Sequence, residues 1–220
     1  MAYDFNGTNQ AATSTSAPVT VEPLTIAVWF KSDVANARTA IVSLCNTTGV
    51  GSVSQPFWAL VEDGTKAGDP ICATAFSTNT SFSEATSTSG FTVGTWHHGC
   101  AVFASLSSRT IYLDGGSSAT DSTLLSARSQ TIDKTAIGCL GRSTNAAFYN
   151  GQIAEVGIWN ASLTAAEIAS LAKGMTCDKI RPQNLVFYAP LVRDLIDQKG
   201  GLTITNNNAA TVANHPRVYA

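Results

Sequence analysis

The acids, histidines and cysteines of this 220-residue chain are spaced for little joint chemistry. Splitting a glycosidic bond takes two carboxyl groups, about 5 Å or about 6.5–9.5 Å apart. Glu62 and Asp63 are adjacent, so on a strand they point to opposite faces. Glu155 is the one acid inside a strongly strand-like run, and its alternate neighbours are Ile153, Gly157 and Trp159. His97 and His98 also point to opposite sides of any strand and cannot share a metal without a bulge. No Ser/His/Asp or Cys/His spacing stands out. Calcium needs about six to eight oxygens. The loop-like acids Asp63, Asp69, Asp114, Asp121 and Asp133 contain no Asp-x-Asp pair. The expectation is that the chain is not an enzyme and carries no cofactor, with calcium the one ion to test. Cys45, Cys72, Cys100, Cys139 and Cys177 stand more than about 25 residues apart, far from the spacing of zinc motifs. They read as buried, reduced thiols.

Aromatic faces flanked by hydrogen-bonding groups offer a different chemistry, the stacking of a sugar. Strand parity suggests where. If Leu24, Ile26, Val28 and Phe30 face a core, Trp29 faces away from it. If Ala154, Val156 and Ile158 face the core, Glu155 and Trp159 face away on the same grounds. Trp29, Glu155 and Trp159 are therefore the candidate ligand-binding residues. The competing reading is that a loop, a helix or the C-terminal tail covers Trp29 and Trp159. Trp58, with apolar neighbours on both sides, reads as core or interface.

These residues must sit on strands. Runs of period two appear at Leu24–Phe30, Thr39–Cys45, Phe57–Val61, Ile71–Phe76 and His97–Ala104. Others are Thr110–Asp114, Thr135–Leu140, Gln152–Trp159 and Leu185–Ala189. Turn clusters such as Asp63-Gly64, Asp114-Gly115-Gly116 and Asn150-Gly151 separate them. Many short strands at even spacing indicate an all-β sandwich or barrel. Ser77–Gly90, rich in Ser and Thr, reads as a long loop, with an edge hairpin as the alternative. One helix is expected over 165–173: Thr164 suits the N-cap, Glu167 completes a capping box, and Gly174 suits the stop.

Composition narrows the classes. Charged residues make up 13% and net charge is -2, with about a fifth of the chain Ser or Thr. Such a surface argues against nucleic-acid binding by counterion release. No apolar run approaches the ~18 residues of a membrane span. The opening Met1-Ala2-Tyr3-Asp4-Phe5 lacks the features of a signal peptide. The Asn-X-Ser/Thr sequons at Asn6, Asn46, Asn79 and Asn160 are expected by chance in so Ser/Thr-rich a chain.

Several segments, in order, resemble the laminin-G-like, concanavalin A-like jelly-roll superfamily. They begin with Tyr3–Asn9 and Leu24–Lys31. Gly94-Thr95-Trp96-His97-His98, followed by Ile111-Tyr112-Leu113-Asp114-Gly115, is the most specific pair. Ile137-Gly138, Gly141-Arg142, Tyr149–Asn160 and Leu163–Ile168 complete the set. The resemblance implies one domain over 1–220, a jelly-roll β-sandwich of two antiparallel sheets with one short helix. The glucanase branch carries Glu-x-Asp-x-Glu or Glu-x-Asp-x-x-Glu on a strand, and this chain has neither. The tail over 183–220 resembles a segment that in many relatives precedes the first strand. It is expected to pair near Tyr3–Asn6, completing the sheet or swapping to a neighbouring chain. Its runs Leu185–Tyr188 and Leu202–Thr205 read as a hairpin.

The leading functional expectation is a non-enzymatic structural or binding module, a virion protein of a tailed phage used in capsid decoration or a tail appendage. It would be assembled in the host cytoplasm with no signal peptide. Its partners would be other virion proteins or further copies of itself, with no nucleic acid and no membrane. The alternative is a carbohydrate-binding, lectin-like module that meets cell-surface glycans. A glycoside hydrolase comes third.

Overall fold

The computed structural model of the protein describes residues 1–49, 55–78, 81–128 and 130–219, so the sequon at Asn79 lies outside the described residues. In chain order the strands are β1 (Ala2–Asn6), β2 (Ala11–Ser14), β3 (Leu24–Ser32), β4 (Arg38–Cys45), β5 (Phe57–Asp63) and β6 (Pro70–Thr78). Then come β7 (Ser81–Gly90), β8 (His97–Ser105), β9 (Ser108–Leu113), β10 (Gly116–Asp121), β11 (Lys134–Ile137) and β12 (Leu140–Gly141). After β13 (Asn145–Ala146) and β14 (Asn150–Trp159) follow the helix α1 (Ala165–Ala172), β15 (Leu185–Ala189), β16 (Thr205–Asn207) and β17 (Thr211–Ala213).

Two antiparallel sheets result. The first has the spatial order β10-β9-β8-β3-β14-β1-β17, with β15 also on β14. The second has the order β16-β2-β11-β4-β5-β6-β7. Their inner faces share one apolar core, in which Ile26, Val28 and Phe30 pack with Leu44, Trp58 and Leu60. This is an all-β jelly roll of two antiparallel sheets with a single short helix, as the alternating runs and the resemblance imply. All five cysteines are free and buried in it. No helix among the described residues is long and apolar enough to cross a membrane.

Local chemistry explains where elements stop. Thr164 and Glu167 form a reciprocal capping box at the start of α1. Lys173 is the C-cap, and Gly174, at φ +99°, lets the chain leave. The run expected to continue to Leu140 breaks at Gly138, where φ is +82° and an added Cβ would come within 2.8 Å of the Phe5 ring. β12 and β13 then form a small hairpin on the outer face of the second sheet, where the Ser43 hydroxyl accepts from Gly141 N.

Two expectations need correction. The described part of Ser77–Gly90 is mostly the edge strand β7, paired with β6. It looked like a loop because its inward side chains include Ser83 and Ser87. Both are satisfied: Ser83 donates to Asp121, and Ser87 accepts from Ile71 N and donates to Ser89 O. The runs Leu185–Tyr188 and Leu202–Thr205 do not form a hairpin. Asp197, 4% exposed, accepts from the backbone N–H groups of Tyr188, Lys199, Gly200 and Leu202. That carboxylate bends the chain between the runs, and the strands that follow join different sheets. β15 lies in line with β1 along the same side of β14, while β16 pairs with β2 and β17 with β1.

Candidate functional site

The outer face of the first sheet is closed by the chain itself. Trp159 has no exposed surface: Leu163, Ile168, Leu171 and Cys177 pack with it, and its indole N–H donates to Ile180 O at 2.8 Å. Gly157 makes room for that ring, since a Cβ there would stand 2.6 Å from it. Glu155 sits at a bulge in β14 with φ +54° and is 4% exposed. Its carboxylate accepts from the Tyr188 hydroxyl at 2.6 Å and lies 3.1 Å from His215 Nε2. Trp29 is half-buried, edge-on to His98 with ring centres 5.5 Å apart. The fold therefore brings Glu155 to Tyr188 and His215, and it does not gather Trp29, Glu155 and Trp159 around one open surface. His98, on the same face, is buried, which pushes its pKa down to about 4 and keeps it neutral.

The outer face of the second sheet is less completely covered: Phe57, Ala59 and Val61 are buried on it, while Phe76 is half-buried and Phe82 half-exposed. Parity sets its residues: Phe57, Ala59 and Val61 of β5 point outward while Trp58 and Leu60 point to the core. Register then aligns the rings, with Phe57 opposite Phe76 and Phe76 opposite Phe82. Phe57 and Phe76 stack at 10° with centroids 5.5 Å apart, and Phe82 is 49% exposed at the edge. From the β12–β13 hairpin, Arg142 holds its guanidinium carbon 5.0 Å from the Phe57 centroid and 5.9 Å from that of Phe76. Together with Arg38, Thr74 and Leu140 these rings and Arg142 line a cavity of about 330 Å³. The sequence names none of these as ligand-binding residues; Arg142 enters there only in the Gly141-Arg142 segment of the family resemblance. The available signal was the outward alternation Phe82-Glu84-Thr86, legible only once β7 is known to be a strand.

A charged cluster lies at one end of this face. Arg38 pairs with Asp63 and with Glu84, the latter at 2.7 Å, and Lys66 bonds Glu84 and the Thr86 hydroxyl. Burial would raise the Asp63 carboxyl, but the Thr65 hydroxyl and the Arg38 and Lys66 charges outweigh it and hold it below the usual carboxylate range. Burial opposes ionisation of Glu84 too, and hydrogen bonds from Arg38 and Lys66 overcome it. Burial pushes the Cys72 thiol up, so it stays protonated. Two ionised carboxylates can act as bases, nucleophiles or cation ligands.

Ligand atoms of Asp63, Cys72 and Glu84 all lie within 4.8 Å of one another, so the three could coordinate a metal ion. One thiol and two carboxylates suit a borderline ion better than calcium, which prefers oxygen throughout. Arg38 and Lys66 already neutralise both carboxylates, and a metal would have to displace them. The donor set thus fits calcium poorly, and no step is built on it.

The sandwich is shared with solved structures of low sequence identity. A native heptameric SAP-like pentraxin from Limulus polyphemus is 15% identical, with a TM-score of 0.69 over 97% of this chain and 94% of that one. The CBM40 of an IT-sialidase from Ruminococcus gnavus, solved bound to α2,3-sialyllactose, is 14% identical, with a TM-score of 0.60 over 78% of this chain and 95% of that one. The NanB sialidase from Streptococcus pneumoniae is 18% identical, with a TM-score of 0.59 over 76% of this chain and 27% of that one. No curated protein sequence matches the chain.

The expectation that the chain is not an enzyme is overturned here. A segment of a sialidase, 27% of its chain, shares this fold, and Asp63 and Glu84 meet across β5, β6 and β7, a pairing that is not visible along any single strand. Residues 6–169 match the concanavalin A-like lectin/glucanases superfamily, and the chain belongs to that family.

Proposed function

We propose that the protein binds carbohydrate on the outer face of its second sheet. One observation carries the reading: stacked Phe57 and Phe76 with half-exposed Phe82 beside them, in a cavity rimmed by Arg38, Thr74 and Arg142. Sugars present flat C–H faces to aromatic rings and hydroxyls to polar rims, and this cavity offers both. Membership of a lectin and glucanase superfamily supports the reading, as does the sialyllactose on the similar CBM40. The virus-particle reading has no comparable observation behind it. It is compatible with glycan binding and stands second to it.

A glycan array followed by calorimetry on the leading hits tests the proposal. Phe82→Ala should weaken binding about tenfold or more, since the exposed ring supplies stacking. Binding that survives this change undiminished places the sugar elsewhere. Release of free sugar during the titration, abolished by Glu84→Gln, would add hydrolysis to binding at the same face.

A further inference from the structure

Three connecting segments line a second cavity, of about 320 Å³, which shares no residue with the one on the second sheet. The residues leading into β3 bring Val21 and Glu22, the β8–β9 turn brings Leu106, and the link from β10 to β11 brings Ala127, Arg128 and Gln130. Arg128 is the buried cation of this lining, its side chain 9% exposed. Its guanidinium lies on the Trp58 ring, with the carbon 3.9 Å from the centroid, and its Nη1 donates to Glu22 Oε1. The same oxygen accepts from the Trp58 indole N–H at 3.1 Å. Stacking and ion pair together hold the guanidinium in one plane. Its Nε and Nη2 are buried and have no hydrogen-bond partner among the described residues. A buried donor without a partner is costly, and more so on a charged group. Burial lowers the Arg128 pKa, and the Glu22 charge does not make up the loss. Nε and Nη2 share one edge of a guanidinium, the fork that takes both oxygens of a carboxylate. Arg181 shows the match in this chain: its Nε and Nη2 hold the two oxygens of Glu167 at 2.8 and 2.7 Å.

We infer that this second cavity binds a small organic carboxylate, with the Nε–Nη2 edge of Arg128 gripping both of its oxygens. The volume lies in the range of small-ligand sites. Val21, Leu106 and Ala127 offer the carbon part apolar contact, and the Gln130 amide offers a polar one. Glu22 and Trp58 preorganise the fork, so little freedom is lost when the anion binds. This site is independent of sugar binding on the second sheet.

Heteronuclear NMR on the full nitrogen-15-labelled chain tests it by following the Arg128 Nε–H resonance. Butyrate is the probe, butyramide its uncharged counterpart, and sulfate an anion without a carbon chain. Butyrate should move the resonance saturably and bind about tenfold or more tighter than butyramide, the worth of a charge-assisted fork. Glucuronate in place of butyrate shows whether the cavity takes an aliphatic or a sugar acid. Arg128→Lys keeps the charge and loses the fork, and should weaken binding of the carboxylate about tenfold or more. Ala127→Phe narrows the cavity from an exposed position and should weaken it likewise. Circular dichroism checks folding, and Ala127→Phe carries the test if Arg128→Lys does not fold. Phe82→Ala, on the second sheet, should leave carboxylate binding unchanged. The inference is overturned if neither carboxylate binds, if butyramide binds equally well, or if sulfate binds more tightly than either acid. Binding that is undiminished in Ala127→Phe or in folded Arg128→Lys overturns it too. None of these results touches the carbohydrate reading, which Phe82→Ala and the glycan array decide.

Discussion

On the first sheet, the outward side chains Ala27, Cys100, Val102 and Trp159 lie under the helix and the segment that follows it. On the second, Phe76, Phe82 and Arg142 reach the surface with only a short hairpin beside them. Outward parity is the same in both cases. What differs is whether the chain returns to cover the face. A covered aromatic is a packing residue and an uncovered one is available to a ligand, so topology decides the role of a ring that strand periodicity merely points outward.

The comparison can be broken most forcefully at Trp159. Trp159→Ala empties a fully buried site and orphans the Ile180 carbonyl, and should cost about 3–5 kcal/mol in chemical denaturation. A cost below about 1 kcal/mol would mean that the cover is loosely packed. The next effect lies beneath the open face. Glu62 points inward, has no exposed surface, and accepts from the Thr39 hydroxyl at 2.6 Å. Burial raises its pKa from 4.5 to about 7, against opposing hydrogen bonds from Thr39 and Ser32. The folded state therefore holds this proton more tightly than the unfolded one. Its stabilising contribution is complete below pH 4.5 and is lost as pH rises through about 7. The loss should be about 3 kcal/mol, and Glu62→Gln should remove it. Parallel stability curves for the two proteins between those pH values would refute the assignment.

Smaller changes sharpen the contrast. Thr164→Ala removes the N-cap oxygen of the covering helix and should cost about 1 kcal/mol in thermal or chemical melts, with sugar binding untouched. Phe82→Ala should be its mirror image, with stability within about 0.5 kcal/mol of wild type and binding impaired. If Phe82→Ala proves as destabilising as Trp159→Ala, the open face is not open.

Elements with a strong local signature were legible in the sequence. Thr164, Glu167 and Gly174 mark the helix without reference to anything distant, and Leu185–Ala189 is read as a strand with the bounds it has. β7 reads first as a loop, with the edge hairpin it forms with β6 only the alternative, because Ser83 and Ser87 face the interior, where hydroxyls satisfied by neighbours replace the apolar half of the pattern. The open site was illegible for a different reason. Phe57, Phe76, Phe82 and Arg142 come from four strands or turns, and only register makes them neighbours. Trp29 and Trp159 were correctly placed away from the core. Their sequence does not say that Leu163, Ile168 and Cys177 will be folded over the second of them.

The pairing of β17 with β1 joins Ala2 to Ala213. On a ribosome making about 5–20 residues per second, β1 waits on the order of ten seconds or more for that partner. Even β14, which pairs with its other edge, is completed only at Trp159. Through that interval Tyr3 and Phe5 have no sheet to enter, and the nascent chain presents an unpaired strand with apolar side chains. Such long-range closure makes folding slow and leaves it open to interception by other chains. Yield of native protein should therefore depend on synthesis rate and on chaperone supply more than on the final stability of the sandwich.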